Sequence, residues 1–146
     1  MRMKALVLGG LFALGVIFSV LLAGAPVSAH HSFAAEFDSE KPITLTGIVT
    51  KVEWTNPHVW FYINVKDPNT GAVSNWGAEM GPPHGLQRRG WRQNTLKIGD
   101  AVTVAGSMAK SGVKRMNASK VTLTSTGARP GETLDAASSG SANVDQ

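Results

Sequence analysis

The chemistry open to this chain lies mainly in its four histidines, because the absence of cysteine excludes disulfides and thiolate ligands. Two of them, His30 and His31, are adjacent and follow a segment typical of an export signal. Cleavage after Ala29 would make His30 the first residue, so that its α-amino group and its imidazole could chelate one metal ion. Nitrogen ligands of this kind suit copper or zinc. The sequence therefore predicts an N-terminal site for one of these metals.

The other two histidines could complete such a site from the folded domain. His58 begins a predicted strand after an Asn-Pro turn, and His84 follows a pair of prolines. Glu79 could add an oxygen ligand, suited to zinc or oxidised copper, and Met80 a thioether, suited to reduced copper. Their spacing matches no known metal motif. The alternative is that the two leader histidines merely follow a cleavage site and that His58 forms a local hydrogen bond.

A second candidate site is aromatic. Four aromatic side chains lie on or beside the first three predicted strands: Trp54, Trp60, Tyr62 and Trp76. Together with Glu79 they would form a ligand-binding face. Aromatic faces with nearby lysine and arginine bind single-stranded nucleic acid or sugars, although export disfavours nucleic acid here. The alternative is a hydrophobic cluster that the leader covers, with Phe33 and Phe37 filling the space.

The sequence contains no nucleophile motif and no glycine-rich phosphate loop, so we expect a binding protein rather than an enzyme. Its expected partner is a metal ion, an unidentified small ligand or a periplasmic protein. One alternative is a metal-free barrel that binds its ligand on the aromatic face. A second alternative is a small copper-dependent redox protein, which the N-terminal histidine alone would favour.

The first 29 residues predict export. Arg2 and Lys4 precede an apolar run over residues 5–25, and Pro26 then leads through small residues to Ala29. An uncleaved run of this length could span a bilayer, so a retained membrane anchor is the alternative. Cleavage predicts a periplasmic or secreted protein without stable membrane insertion.

Charge is distributed unevenly along the chain, whose formal net charge is +4. Residues 30–40 contain acidic side chains and no lysine or arginine, whereas residues 41–124 contain eleven basic against four acidic side chains. The end of the chain is again mainly acidic. A basic domain between acidic arms could attract an anionic partner or could be partly self-neutralising.

Alternating hydrophobicity predicts five strands and one short helix. The strands are expected near 42–54, 58–66, 72–79, 101–109 and 115–124, and the helix near 83–92. A change of alternation at Gly47 predicts a β-bulge there. The side chains expected in the core are Val59, Phe61, Ile63, Val65, Val102, Val104, Val121 and Leu123. Trp60 and Tyr62 are expected on the opposite face of their strand.

This order of elements predicts an all-β fold, a small five-stranded Greek-key barrel of the OB type with the helix between strands 3 and 4. An open sandwich or another small barrel built from the same strands is the alternative. The expected organisation is a signal peptide (1–29), a leader (30–41), the barrel (42–124) and a disordered tail (125–146).

Four stretches of the sequence also carry a family resemblance: His30–Asp38, Lys41–Gly47, Glu53–His58 and Arg89–Trp91. They resemble an exported bacterial family, domain of unknown function 6152, over about residues 30–124. The resemblance implies a small secreted or periplasmic domain and supplies no activity. The strand order is similar to that of periplasmic bacterial OB-fold proteins. Those proteins lack the His-His start and the Trp-Thr-Asn-Pro-His segment, so their ligand preferences do not carry over.

Overall fold

The computed structural model describes residues 33–124 and 131–137. The predicted signal peptide and the adjacent His30 and His31 lie outside the described residues. The elements in chain order are α1 (Phe33–Glu36), β1 (Phe37–Glu53), β2 (Trp60–Lys66), β3 (Val73–Glu79), α2 (Pro83–Arg88), β4 (Ala101–Ala109), β5 (Arg115–Leu123) and β6 (Thr133–Asp135). Within these ranges no helix has the length and apolar character needed to cross a membrane.

The strands form one sheet that closes on itself. Their order is β3-β2-β1-β4-β5-β6, and β3 also pairs with β5. This additional pairing is parallel and joins Gly77–Glu79 to Arg115–Asn117, whereas the other pairings are antiparallel. Five strands therefore form a ring in the order β1-β2-β3-β5-β4, with α2 between β3 and β4 in the chain. The predicted all-β barrel with a short helix between its third and fourth strands is confirmed, and α1 and β6 are additional elements.

The core lies inside this ring and is built by strand alternation. Phe61 and Ile63 on β2 are fully buried, whereas Trp60 and Tyr62 between and beside them are only half-buried. Four further residues of the predicted core on β4 and β5 are also buried: Val102, Val104, Val121 and Leu123. Val59 is fully buried, and Val65 is partly buried against the same core. The predicted register of β2 is therefore confirmed.

The first strand bends at a bulge that lies beyond the predicted position. Its register with β2 shifts between Val49 and Lys51, so that Val49 and Val52 both contact the core while Ile48 is 46% exposed. Gly47 has a different role, because a Cβ there would lie 2.5 Å from the backbone oxygen of Asn64. The prediction of a bulge at Gly47 is wrong, since this glycine permits close approach of β2 instead.

The end of the predicted leader is part of the barrel. β1 begins at Phe37, which is 3% exposed, and Phe33 stacks on it with ring centroids 5.9 Å apart. Lys110 in the β4–β5 turn donates its backbone N–H to the Glu36 oxygen at 2.9 Å. Its Nζ also donates to the Ala34 oxygen at 2.6 Å. The short helix α1 is therefore fixed to the β4–β5 turn.

Part of the predicted disordered tail forms β6. This strand pairs with β5, with Leu134 opposite Val121. Leu134 is 6% exposed and Ala136 is fully buried, and both belong to the core. The expectation of disorder is thus wrong for residues 131–137, because burial of these two side chains stabilises a segment whose composition is otherwise typical of a disordered chain.

The segment after α2 holds β6 in place. α2 is shorter than the predicted helix, and Gly90 adopts a left-handed φ of +95° before the fully buried Trp91. The Trp91 indole donates its N–H to the Asp135 oxygen at 2.7 Å. The Arg89 guanidinium donates to the Ala137 oxygen. The Arg-Gly-Trp stretch therefore binds the backbone on both sides of the buried Ala136.

Candidate functional site

His58 and Glu79 form a hydrogen-bonded pair through Nδ1 and Oε1. His58 lies two residues before β2, and Glu79 is the last residue of β3. The register places Trp60 opposite Glu79. The pairing continues beyond the strand ends, because the Met80 N–H donates to the Val59 oxygen at 2.8 Å. The segment before β2 and the end of β3 therefore bring together two residues that are 21 positions apart in the sequence.

Strand alternation puts this pair on the outer face of the barrel. Phe61 and Ala78 are the neighbouring register pair and are both buried in the core, so the side chains of Trp60 and Glu79 leave the sheet on the opposite side. Glu79 is nevertheless well covered, since its side chain is 8% exposed, compared with 29% for His58. The site is therefore a buried carboxyl beside a partly accessible imidazole.

The surroundings of Glu79 act on its carboxyl in opposite directions. Burial raises the pKa of Glu79, and the hydrogen bond and charge of His58 oppose this shift. Among more distant groups, Glu36 raises and Arg115 lowers the same pKa. The second carboxyl oxygen, Oε2, is buried and has no hydrogen-bond partner within the described parts of the chain. An unpartnered buried polar atom of this kind costs about 1–3 kcal/mol, so it marks a position where a ligand would be stabilised.

This arrangement leaves two atoms for chemistry, Nε2 of His58 and Oε2 of Glu79. In metal sites, a histidine that ligates through one nitrogen usually donates the N–H of the other to a carboxylate. The described ranges contain no group of three or more histidine, aspartate or glutamate side chains that could hold a metal ion. A metal at this pair would therefore need further ligands from residues outside those ranges.

The other proposed ligands of the folded domain lie elsewhere. His84 is exposed on α2, in a groove that it shares with Gln87, Arg88 and Arg92. It forms no three-ligand group with the His58–Glu79 pair. Met80 is fully buried in the core. Only the pair itself therefore comes together among the metal ligands suggested for the folded domain.

The predicted aromatic set is divided between the two faces of the sheet. Trp60 and Tyr62 share the outer face, where a Cβ on Gly77 would lie 3.6 Å from the first ring and 3.3 Å from the second. Trp54 and Trp76 are partly buried and pack against the core. Trp54 also lines a crevice with no room for a water molecule. Two of the four rings therefore act in packing, and two lie at the outer surface near Glu79.

Cations of the chain lie over both outer rings. The Arg115 guanidinium is 5.7 Å from the ring centroid of Trp60, and Lys51 Nζ is 5.3 Å from that of Tyr62. The Tyr62 hydroxyl donates to Glu53 at 3.1 Å, and Lys51 forms an ion pair with Glu53 at 2.5 Å. Burial is the largest cause that raises the pKa of Tyr62, followed by its hydrogen bond to Glu53. The rings are thus held in a network rather than freely exposed.

Sequence reasoning missed three residues around the site: Glu36, Lys110 and Arg115. Glu36 and Lys110 are 74 positions apart, and their contact depends on where β4 ends relative to β1. Arg115 reaches Trp60 because β5 pairs with β3, a parallel contact that no local pattern indicates. The available signal was Lys110, which lies in the predicted turn between the last two strands. In OB barrels the loop between these strands lies near the bound ligand.

Comparisons with known proteins identify a family and no activity. A model of the family of unknown function DUF6152 matches residues 18–131. No curated protein matches the sequence. Among solved structures, a similar chain is that in the crystal structure of the ZRD-deleted mutant of TiaS in complex with agmatine, with 21% identity and a TM-score of 0.44. The match covers 68% of the present chain and 27% of that chain.

Proposed function

The chain belongs to the DUF6152 family of unknown function, and we propose that it is an exported, non-enzymatic protein that binds one copper or zinc ion at the His58–Glu79 pair. The protein ligands would be Nε2 of His58 and the α-amino group and ring of His30, with His31 as a further donor. The observation that carries this proposal is the buried Glu79, which holds His58 by Nδ1 and so leaves Nε2 for a metal ion.

Electrostatics supports a cation at this position. A buried carboxylate is unfavourable unless a positive charge or hydrogen bonds compensate it, and His58 contacts only one of the two oxygens. A divalent ion on Nε2 of His58 would supply a positive charge to the pair. With Glu79 as a carboxylate, Nδ1 would donate to it and Nε2 would carry the lone pair that binds the ion.

The start of the described chain supports a contribution from the leader. Lys110 fixes α1 to the β4–β5 turn, and the charge of Glu36 at the end of α1 acts on the pKa of Glu79. His30 and His31 precede Phe33 by three and two residues.

Export and metal binding are linked in this proposal. The α-amino group of His30 exists as a ligand only if cleavage follows Ala29. An intact mass of the exported protein that begins at His30 is the expected result. A mass that retains residues 1–29 would remove the amine ligand and overturn the N-terminal part of the proposal.

The deciding experiment is calorimetric titration of Cu(II) and Zn(II) into protein that starts at His30. Acetylation of the His30 α-amino group and, separately, His58→Gln should each weaken binding at least tenfold, because each removes one nitrogen ligand. His84→Gln is the matched control, since it removes an exposed histidine outside the pair, and its affinity should stay within twofold. Equal affinities in all four proteins, or no binding in any, would overturn the proposal.

The second candidate function is metal-free binding of a sugar on the outer face. It is favoured by the shared outer face of Trp60 and Tyr62, whose rings both lie beside Gly77 of β3. In that case oligosaccharides should quench tryptophan fluorescence in the wild type and not in Trp60→Phe. Quenching that persists in the variant, or that is absent in both proteins, would contradict this alternative.

A further inference from the structure

A basic groove beside α2 forms a second surface, distinct from the His58–Glu79 pair. Its volume is about 520 Å³, and it is lined by His84, Gln87, Arg88 and Arg92. His84 and Arg88 are four positions apart in the chain, which places them on the same side of the helix. The groove therefore combines three basic side chains with one amide.

The local charge is strongly positive. Residues 80–99 contain four lysines and arginines and no aspartate or glutamate. Arg89 is already engaged, because its guanidinium donates to the Ala137 oxygen and lies 3.8 Å from the Asp135 carboxylate. Arg88 and Arg92 are exposed, and neither forms an ion pair with a described residue. Two guanidinium groups thus face the groove without an internal counter-charge.

Arg92 is held in position before any ligand arrives. Its Nη1 donates to the backbone oxygens of Gln87 at 3.1 Å and of Trp91 at 2.8 Å. Its backbone N–H donates to the Thr95 hydroxyl at 2.7 Å, and the neighbouring Trp91 is fully buried. These bonds use Nη1 and leave the hydrogens of Nη2 and Nε for a ligand. Little side-chain entropy remains to be lost when an anion binds.

We propose that this groove binds a phosphate group. The planar fork of Arg92 matches a tetrahedral oxyanion in a bidentate manner, and Arg88 adds a second positive charge. The Gln87 amide and the His84 ring supply further hydrogen-bond donors. A phosphate monoester in solution and the headgroup of an anionic phospholipid share this chemistry, and the test separates them.

The test uses the full exported protein with two probes, inorganic phosphate and vesicles. Backbone amide NMR shifts follow the phosphate titration, and cosedimentation compares phosphatidylglycerol with phosphatidylcholine vesicles. The double variant Arg88→Gln/Arg92→Gln should bind at least tenfold more weakly. The matched control is Lys66→Gln/Lys114→Gln, which removes the same charge from two exposed positions outside the groove and should change binding less than threefold.

Each outcome decides the proposal. If the arginine double variant loses binding to phosphate but not to vesicles, the ligand is a soluble phosphate. If it loses binding to phosphatidylglycerol vesicles, the ligand is a membrane headgroup. Equal weakening in both double variants would show an effect of net charge and overturn the site. Absence of binding to both probes in the wild type would also overturn it. Unchanged thermal midpoints in the variants exclude unfolding as the cause of a loss, and the readouts are independent of metal binding.

Discussion

The Lys110 ammonium group donates to the backbone oxygen of Ala34 at 2.6 Å, across 76 positions of the sequence. The same residue bonds the Glu36 oxygen through its backbone N–H, so the β4–β5 turn holds both the middle and the end of α1. This relationship connects the leader to the barrel close to Glu79, whose pKa responds to Glu36.

We expect Lys110→Met to loosen α1 while the barrel remains folded, because the side-chain bond is lost and the β-strands are untouched. Amide hydrogen exchange over residues 33–36 should become several-fold faster, and the thermal midpoint should change by only a few degrees. Lys114→Met, which removes an exposed lysine from the same turn, is the control and should leave exchange unchanged. Identical exchange in wild type and Lys110→Met would contradict the role of this bond.

Leu134→Ala should destabilise the protein by about 2–4 kcal/mol, because it leaves a cavity where β6 completes the core. The measurement is urea unfolding followed by tryptophan fluorescence. Thr133→Ala removes a neighbouring exposed side chain whose hydroxyl shares a hydrogen bond with that of Thr122, and its cost should stay below about 1 kcal/mol. If Leu134→Ala lowered the free energy of unfolding by less than about 1 kcal/mol, β6 would contribute little to stability.

Gly47→Ala should destabilise the barrel by about 1–3 kcal/mol. The new Cβ would lie 2.5 Å from the Asn64 backbone oxygen and would displace the backbone of β2. Gly85→Ala is the control, since its nearest contact would be the side chain of Pro82 at 3.4 Å. That substitution in α2 should be neutral or slightly stabilising. Chemical denaturation of both variants tests the comparison, and equal stability would refute the steric explanation.

Glu79→Gln should alter how stability depends on pH. Burial raises the pKa of Glu79 in the folded state above its unfolded value of about 4.5, so the folded state binds the proton more tightly. The stabilisation that this proton gives the folded state is fully present below the pKa of Glu79 in the unfolded chain. It is lost as the pH rises through the pKa of Glu79 in the folded protein. The variant lacks this loss, so its stability relative to wild type should increase from pH 4 to pH 7. Metal-free protein is compared by urea unfolding at the two pH values, and a relative stability that falls instead would reverse the assignment.

Local patterns predicted the parts of the fold that depend on local physics. The alternation around Phe61 and Trp60 identified both faces of β2, because side-chain direction in a strand has a period of two. The alternation predicts the bulge at Gly47, whereas the register shifts near Thr50, since the sequence marks a glycine and not the residue left unpaired. β6 was missed because Leu134 is an isolated large apolar residue in a segment of small and polar ones.

The sequence predicts the individual residues of the candidate site but not the contacts between them. His58 and Glu79 were each proposed as ligands, but their contact depends on the register of β2 against β3, which brings Trp60 opposite Glu79. The aromatic residues were grouped by strand. Trp76 pairs with Ile63 on the inner side of the sheet, whereas Trp60 pairs on the outer side, so the group divides. Pairing between strands contains information that composition and spacing alone do not.

The position of β6 has a consequence for the order in which the chain can fold. Leu134 and Ala136 complete the core, so a chain that emerges from the ribosome with its N-terminus first exposes an unfinished barrel until residue 137 has left the exit tunnel. An arrested nascent chain ending before residue 131 should therefore be digested quickly by protease, whereas one with residue 137 outside the tunnel should resist.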